Sequence, residues 1–297
     1  MPQGLVLGPI LFIIYIDGIT KVALTAGNLS LFADDILLYC PIQNIEDFAF
    51  LQNDVTKLCS WTNDILLDFN ANKCKYMLIA KRRQPFIPVV LTVNGSPLER
   101  VDAYKYLGIW ITSDLSWSNQ VMEVCKKARQ KIGILYRKYY QHATPPTMLQ
   151  LYLSCIRSDL EYAVPKWDPH RQGLINSLQK FTMRVCTKQW SSNYNALPNA
   201  YGVPSLRKRR LILKLSYLYN VLNGRYSLPE PFPVVTWTTS HFTRSHRHTL
   251  IVPRAHTNSY FSFFCDTPRT WNTLPSHVVE SPNADIFKRN LTSYLIN

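Results

Sequence analysis

The sequence predicts an α+β fold in which a strand-rich part precedes a helix-rich part. Three observations predict it. Short apolar runs bounded by turn residues fill the stretch to about Trp117, whereas apolar residues at helical spacing fill 118–225. The charge balance changes at the same place. Residues 1–116 carry nine Lys/Arg and eleven Asp/Glu, a net of −2, and residues 117–297 carry twenty-four and eight, a net of +16. The 297 residues, 46% hydrophobic and 18% charged, have globular composition and length enough for one large domain or two to three small ones.

Taken in order, Leu29 to Phe32 and Ile36 to Cys40 are apolar runs flanking Asp34-Asp35, which reads as a hairpin with the acids at its turn. Phe48, Leu51, Val55, Leu58 and Trp61 place a helix over 47–65. Tyr76 to Ala80 and Val89 to Val93 read as strands, the latter turning at Asn94-Gly95, and Tyr104 to Thr112 as one more. A long amphipathic helix is expected over Val121 to Tyr140. Pro145-Pro146 breaks it before a second helix from Met148 to Leu160. Leu174 to Cys186 and Leu206 to Leu222 are two more, the last ended by Asn223-Gly224. The tail from about 226 holds seven of the nineteen prolines, and only Asp285 to Leu295 reads as helical there. No internal repeat or low-complexity segment is present.

Composition narrows the function classes. No acidic residue occurs between Val124 and Ser158, nor between Pro169 and Leu228. A polyanionic partner is the natural reading, because lysine and arginine gain by displacing counterions from phosphates. No apolar run approaches the ~20 residues that span a bilayer, so no membrane is expected. Leu5 to Ile16 lacks the basic flank of a signal peptide. The seven cysteines form no CxxC pair, and so odd and scattered a set reads as reduced thiols in an intracellular protein, nuclear or cytoplasmic. His241, His246, His248 and His256 before Cys265 raise zinc as an alternative. Their spacing lacks paired-ligand regularity and Arg244, Arg247 and Arg254 lie among them, so a solvated basic loop is preferred.

The chemistry centres on Phe32-Ala33-Asp34-Asp35. Adjacent carboxylates in a tight turn repel, and a cation commonly offsets that repulsion. Hard oxygen donors of this kind suit Mg²⁺. Alone the pair is weak as a signal, since turns favour aspartate for local hydrogen bonding.

Context sharpens it. Pro2-Gln3-Gly4, with Leu7-Gly8-Pro9, Leu11-Phe12 and Tyr15, stands about thirty residues upstream of the acids. Phe32-Ala33-Asp34-Asp35-Ile36-Leu37-Leu38-Tyr39 follows, then Trp61-Thr62-Asn63, Leu67, Asn70 and Lys73-Cys74. Tyr106-Leu107-Gly108-Ile109 and Leu115-Ser116-Trp117 close the set. These ordered motifs resemble the reverse transcriptases of LINE-type, non-LTR retrotransposons. Leu160-Glu161-Tyr162-Ala163, Trp167-Asp168-Pro169-His170, Pro204-Ser205-Leu206 with Arg209-Arg210, and Trp271-Asn272-Thr273-Leu274-Pro275 with Phe287-Lys288 extend the resemblance beyond residue 117. Asn119 stands where many relatives have histidine, a departure outside the chemistry.

The resemblance implies a fold and a set of roles. The fold is a partial right-hand polymerase palm over 1–117, an antiparallel sheet with helices. A helical, basic thumb over 118–225 and an irregular retrotransposon-type tail over 226–297 complete it. Asp34 would hold metal with Asp35 as its accessory, two Mg²⁺ ions clamping attacking and leaving oxygens in the intact parent enzyme. Pro2, Gln3, Gly4, Phe32 and Ala33 would flank the incoming deoxynucleoside triphosphate and the template. Lys73 would approach the leaving pyrophosphate, with a plain surface lysine as the alternative. Tyr106, Leu107 and Gly108 would grip the primer end, or else simply pack the sheet. Lys126, Lys127, Arg129, Lys131, Arg137 and Lys138 fall on changing faces of one helix, several of them towards an RNA template and DNA primer. Tyr136, Tyr139 and Tyr140 are expected chiefly in the core, as are Trp167 and Trp271.

In the family a further aspartate comes from a strand ahead of the Pro-Gln-Gly turn, which here begins at Pro2. The expectation is an N-terminally truncated fragment with weak or absent Mg²⁺ binding and no polymerase activity alone. Its exposed palm edge would favour association. A catalytically dead nucleic-acid-binding module and a non-functional retroelement relic are the alternatives.

Overall fold

The computed structural model describes residues 7–80, 89–168, 173–190, 197, 200–226, 248–254 and 262–296. It falls into two compact units, residues 1–105 with 112–115, and residues 106–111 with 116–297. Helices and two-stranded sheets are mixed in it, as the α+β expectation requires.

In the first unit, α1 (Gly8–Ile16) runs into a single 3₁₀ turn, Asp17–Lys21. Strands β1 (Asn28–Phe32) and β2 (Asp35–Tyr39) pair antiparallel, with Leu29 opposite Leu38, Leu31 opposite Ile36 and Phe32 opposite Asp35. Strand alternation sends those four aliphatic residues to one face. There they pack with Ile16, Ile19 and Leu58. Leu58 comes from α2 (Glu46–Asp64), whose Phe48, Leu58 and Cys59 are buried.

The remaining strands of this unit are short. β3 (Lys75–Tyr76) pairs in parallel with β6 (Glu99–Arg100), and β4 (Thr92–Val93) pairs antiparallel with β5 (Ser96–Pro97). The strands expected over 76–80 and 89–93 therefore shrink to two residues each. The Asn94-Gly95 hairpin forms as expected, both residues adopting positive φ, +48° and +75°. The single strand expected from Tyr104 to Thr112 is instead a hairpin, β7 (Ala103–Tyr106) and β8 (Ile109–Thr112). Leu107 at φ +46° and Gly108 at φ +81° turn the chain between them.

The second unit is helical and much better filled. α3 (Ser118–Tyr139) buries Val121, Cys125, Ala128, Ile132 and Leu135, an i, i+3/i+4 stripe. Pro145 and Pro146 do not merely interrupt the chain. They open α4 (Pro145–Leu151), where a missing N–H costs nothing, and Thr144 caps it. A π-helical segment, Tyr152–Ile156, joins it to α5 (Arg157–Glu161). α6 (Val164–Trp167) and α7 (Gly173–Thr187) complete a core in which Trp167, Tyr152, Met148 and Ile175 are fully buried.

α8 (Leu206–Leu222), capped by Ser205, serves two cores at once. Leu206 belongs to the core just described. Ile212, Leu215, Leu218 and Tyr219 belong to a second one with Trp271, Leu274, Phe287 and Leu291. Those last residues come from α9 (Phe263–Trp271) and α11 (Ala284–Ile296), with α10 (Ser276–Val279) between. The described tail is thus largely helical, which corrects the expected irregular region with one helix. Pro268 inside α9 and the single turn of α10 hide both from a periodicity reading.

Between the two cores of this unit lie buried charges. Asp168 receives Arg210 Nε at 3.2 Å and Lys214 Nζ at 2.8 Å, and Lys214 also reaches Asp266 at 2.8 Å. Burial disfavours the Lys214 ammonium, but the two carboxylates outweigh it and hold its pKa above the usual lysine range. All seven cysteines are free thiols, in keeping with the reading of reduced cysteines. Among the described residues, no helix is long and apolar enough to cross a membrane.

Candidate active-site turn and nucleic-acid surface

The twin acids lie where the spacing put them. β1 and β2 leave a two-residue loop, Ala33-Asp34, and Asp35 begins β2. Ala33 sits at φ +52°, a conformation that glycine adopts freely and that strains an alanine. The face opposite the aliphatic four carries Phe32, Asp35, Leu37 and Tyr39, all exposed. Phe32, 62% exposed, is the largest apolar group beside the acids. The hairpin therefore presents two carboxylates and an aromatic ring to solvent at its tip.

What fixes this hairpin is a residue the sequence reading passed over. Asp54 of α2 is wholly buried. Its carboxylate accepts hydrogen bonds from the backbone N–H groups of Thr25 (2.6 Å), Ala26 (2.9 Å) and Gly27 (2.8 Å), the loop that leads into β1. Burial pushes the Asp54 pKa up, but those three amides outweigh it and hold the carboxyl below its usual range. Gly27 lets the loop approach closely, since a Cβ there would lie 2.5 Å from Leu38 Cδ1 and 3.3 Å from Asp54 Oδ2, and the leucine would have to shift. One signal was available. Asp54 stands three residues after Leu51 and four before Leu58, on the apolar stripe of the helix, where a lone acid needs a partner.

Lys73 lies on an exposed turn, its N–H bonded to Asn70 O at 2.9 Å, and no described ion pair joins it to Asp34 or Asp35. Pro2, Gln3 and Gly4 fall outside the described residues. So do the histidines of the basic loop other than His248. The described residues bring no group of three or more His, Cys, Asp or Glu together. Two carboxylates on one turn offer donors of the right chemistry for a divalent ion, yet fewer than the six or so oxygens such ions take. By themselves these described residues do not complete a metal centre.

The tip of the β7/β8 hairpin belongs to the second unit, and a second residue unmarked as a site holds it there. Tyr162 Oη donates to Leu107 O at 3.0 Å, and its ring lies 3.5 Å from where a Cβ of Gly108 would stand. Trp110 N–H donates to Gln120 Oε1 at 2.9 Å, and Ile109 packs on the main core. The motif around Tyr106 and the motif around Glu161 are thus in contact. Glu161 in turn takes a two-pronged bond from Arg209, at 2.9 Å for each arm. Motifs scattered over a hundred residues of sequence meet around one hairpin tip.

The six cations proposed on α3 divide. Lys127 and Lys131 close on Asp159 at 3.1 and 2.5 Å, and Lys131 also donates to Cys155 O. Lys126, Arg129, Arg137 and Lys138 are exposed, Lys126 with only a long pairing to Glu123. Tyr136 and Tyr139 are 46% and 43% exposed, so the expectation of core packing fails for these two. The α3 core stripe ends at Leu135, and the rings continue past it into solvent. Trp167 and Trp271 are the buried anchors expected of them. Each indole N–H reaches a carbonyl, Trp167 that of Tyr162 at 2.7 Å and Trp271 that of His248 at 2.9 Å.

Comparison with known proteins agrees on one family. A family model described as reverse transcriptase (RNA-dependent DNA polymerase) matches residues 1–111. The probable RNA-directed DNA polymerase from transposon X-element of Drosophila melanogaster is 26% identical over 146 residues, 46% of this chain. The RNA-directed DNA polymerase from mobile element jockey, of the same organism, is 27% identical over 140 residues, 45% of this chain. In each case the chain spans 15% of the relative's length. No solved structure matches the chain.

Proposed function

We propose, from the match of residues 1–111 to the reverse transcriptase model and the likeness to the two transposon polymerases, that the chain is the palm-and-thumb part of an RNA-directed DNA polymerase of a non-LTR retrotransposon. In this reading residues 1–117 contribute palm and 118–225 thumb. Asp34 and Asp35 are the carboxylates of templated nucleotidyl transfer, and Mg²⁺ when bound supplies charge neutralisation at the reacting phosphate. The observation that carries it is the strained Ala33-Asp34 turn. It holds two adjacent carboxylates at an exposed hairpin end, inside the stretch that matches the family.

The chain's own residues would divide the work as follows. Asp34 and Asp35 face the primer end. Tyr106, Leu107 and Gly108 position that end, with Tyr162 bracing the loop. Lys126, Arg129, Arg137 and Lys138 neutralise phosphates of an RNA–DNA hybrid. Among the described residues no third His, Cys, Asp or Glu joins the two carboxylates, so we read the chain by itself as a binder rather than a polymerase. Primer extension with a labelled DNA primer on an RNA template, in Mg²⁺ or Mn²⁺, is expected to yield no product. Hybrid binding, by contrast, is expected, falling about a hundredfold between about 50 and 200 mM salt if four phosphates are contacted. Template-dependent extension would overturn the inactivity, and salt-independent or absent hybrid binding would overturn the thumb assignment.

A further inference from the structure

The C-terminal ends of α3 and α7 meet within the second unit, and there aromatic rings gather of which only Tyr140 packs against the main core. Tyr136 and Tyr140 lie 4.5 Å apart, centroid to centroid, tilted by 38°. Trp190 Nε1 donates to Tyr140 Oη at 3.1 Å, and the indole meets the Phe181 ring edge-on at 6.1 Å. Tyr136, Phe181 and Trp190 are each 46–47% exposed, so each keeps ring surface in water. Lys188 places its ammonium 5.3 Å from the centre of the Tyr140 ring. It does so from φ +60°, at the end of α7 where glycine is the usual residue. A strained lysine laid on a ring is a feature that packing alone does not require.

The charge around these rings has one sign. α7 has no acidic residue, nor does α3 after Glu123. Arg137 stands exposed next to Tyr136. We infer that this cluster of Tyr136, Tyr140, Phe181 and Trp190, edged by Lys188 and Arg137, is a stacking site for single-stranded nucleic acid. The proposal rests on the nucleic-acid reading above and goes beyond it. A duplex keeps its bases stacked on one another and offers these rings nothing. Unpaired bases stack on aromatic faces irrespective of sequence, while neighbouring cations take the phosphates. A carboxylate-free surroundings favours a polyanion over an acidic-patched or apolar partner.

The test uses the full chain and three labelled probes of about a dozen nucleotides, a length within the range of single-strand sites. They are oligothymidylate, an abasic strand with the same number of phosphates, and an RNA–DNA hybrid. Oligothymidylate is expected to bind at least about tenfold tighter than the abasic strand, each stacked base being worth roughly that factor or more. Tyr136→Ala with Trp190→Ala is expected to bring that ratio to about one while hybrid affinity stays within about twofold. Trp190→Phe, which keeps a ring, is expected to retain most of the ratio. Equal binding of the base-bearing and abasic strands by the unaltered chain overturns the site, as does an unchanged ratio in the double variant. Displacement of oligothymidylate by polyglutamate of matched charge as readily as by an abasic strand would mark a general polyanion surface and also overturn it. Loss of hybrid binding in the unaltered chain is the separate outcome that defeats the underlying reading.

Discussion

The first unit carries the stretch that matches the reverse transcriptase model, and the second carries the larger cores. Among the described residues, the cluster under the Asp34-Asp35 hairpin has three buried members, Ile16, Ile19 and Leu58. The main cluster of the second unit has twenty and its companion eleven. α1 is apolar around its whole circumference, yet Leu7, Ile10, Leu11, Ile13 and Ile14 are 49–66% exposed. A helix of that composition is normally enclosed. The first unit adds polar clamps to its small core: Asp54 on the loop before β1, Gln52 on Thr92, and Lys57 on Ala23 O. The exposed Asp34-Asp35 hairpin rests on the small cluster, and the larger cores lie where Asp168, Arg210 and Lys214 pair internally.

That contrast can be broken by experiment. The largest effect is expected from Trp167→Ala, which empties the centre of the main core and removes the bond to Tyr162 O. A loss of about 3–5 kcal/mol is expected, read by chemical denaturation. A loss under about 1 kcal/mol would show that the second unit is not organised around this side chain. Hydrogen exchange should separate the units next. Amides of the α3 interior are expected to be at least about a hundredfold better protected than those of α1 and β1, because local opening follows buried apolar contact. Uniform protection would remove the contrast.

Asp54→Ala is expected to cost about 2–3 kcal/mol in the first unit, since three amides lose a charged acceptor. Loosened exchange at 23–39, with α3 unchanged, would locate the effect. The same carboxylate gives a pH dependence. Its pKa is lower folded than unfolded, so its contribution is complete above about pH 4, the unfolded value, and is lost as pH falls through the depressed folded value. Acid titration of the Asp54→Ala chain should lack that step. The smallest effect is expected from Ala33→Gly. Removing the strained Cβ at φ +52° should stabilise the hairpin by roughly 0.5 kcal/mol net of glycine's entropy, measured as a small rise in midpoint. A destabilisation would mean that the turn is not strained.

Much of both units was legible from spacing. The helices over 47–65, 121–140, 174–186 and 206–222 form within a few residues of the expected bounds, because their apolar stripes have a core to face. The hairpin with two acids at its end followed from two apolar runs and a turn. The β7/β8 turn did not, since an apolar leucine at positive φ carries no turn signal, and only Gly108 hinted at it. α9 and α10 were hidden by proline and by brevity.

Local pattern alone determined most of the long helices, the reversals at Asp34-Asp35 and Asn94-Gly95 and which half is basic, because those follow from neighbours three or four positions away. Packing decided the rest. That Asp54 would grip the loop before β1, that Tyr162 would brace Leu107, and that Lys127 and Lys131 would pair with Asp159 depend on partners 27 to 55 residues distant. A buried charge or an orphaned amide finds its partner only when the fold brings the two together, and no spacing rule encodes that distance.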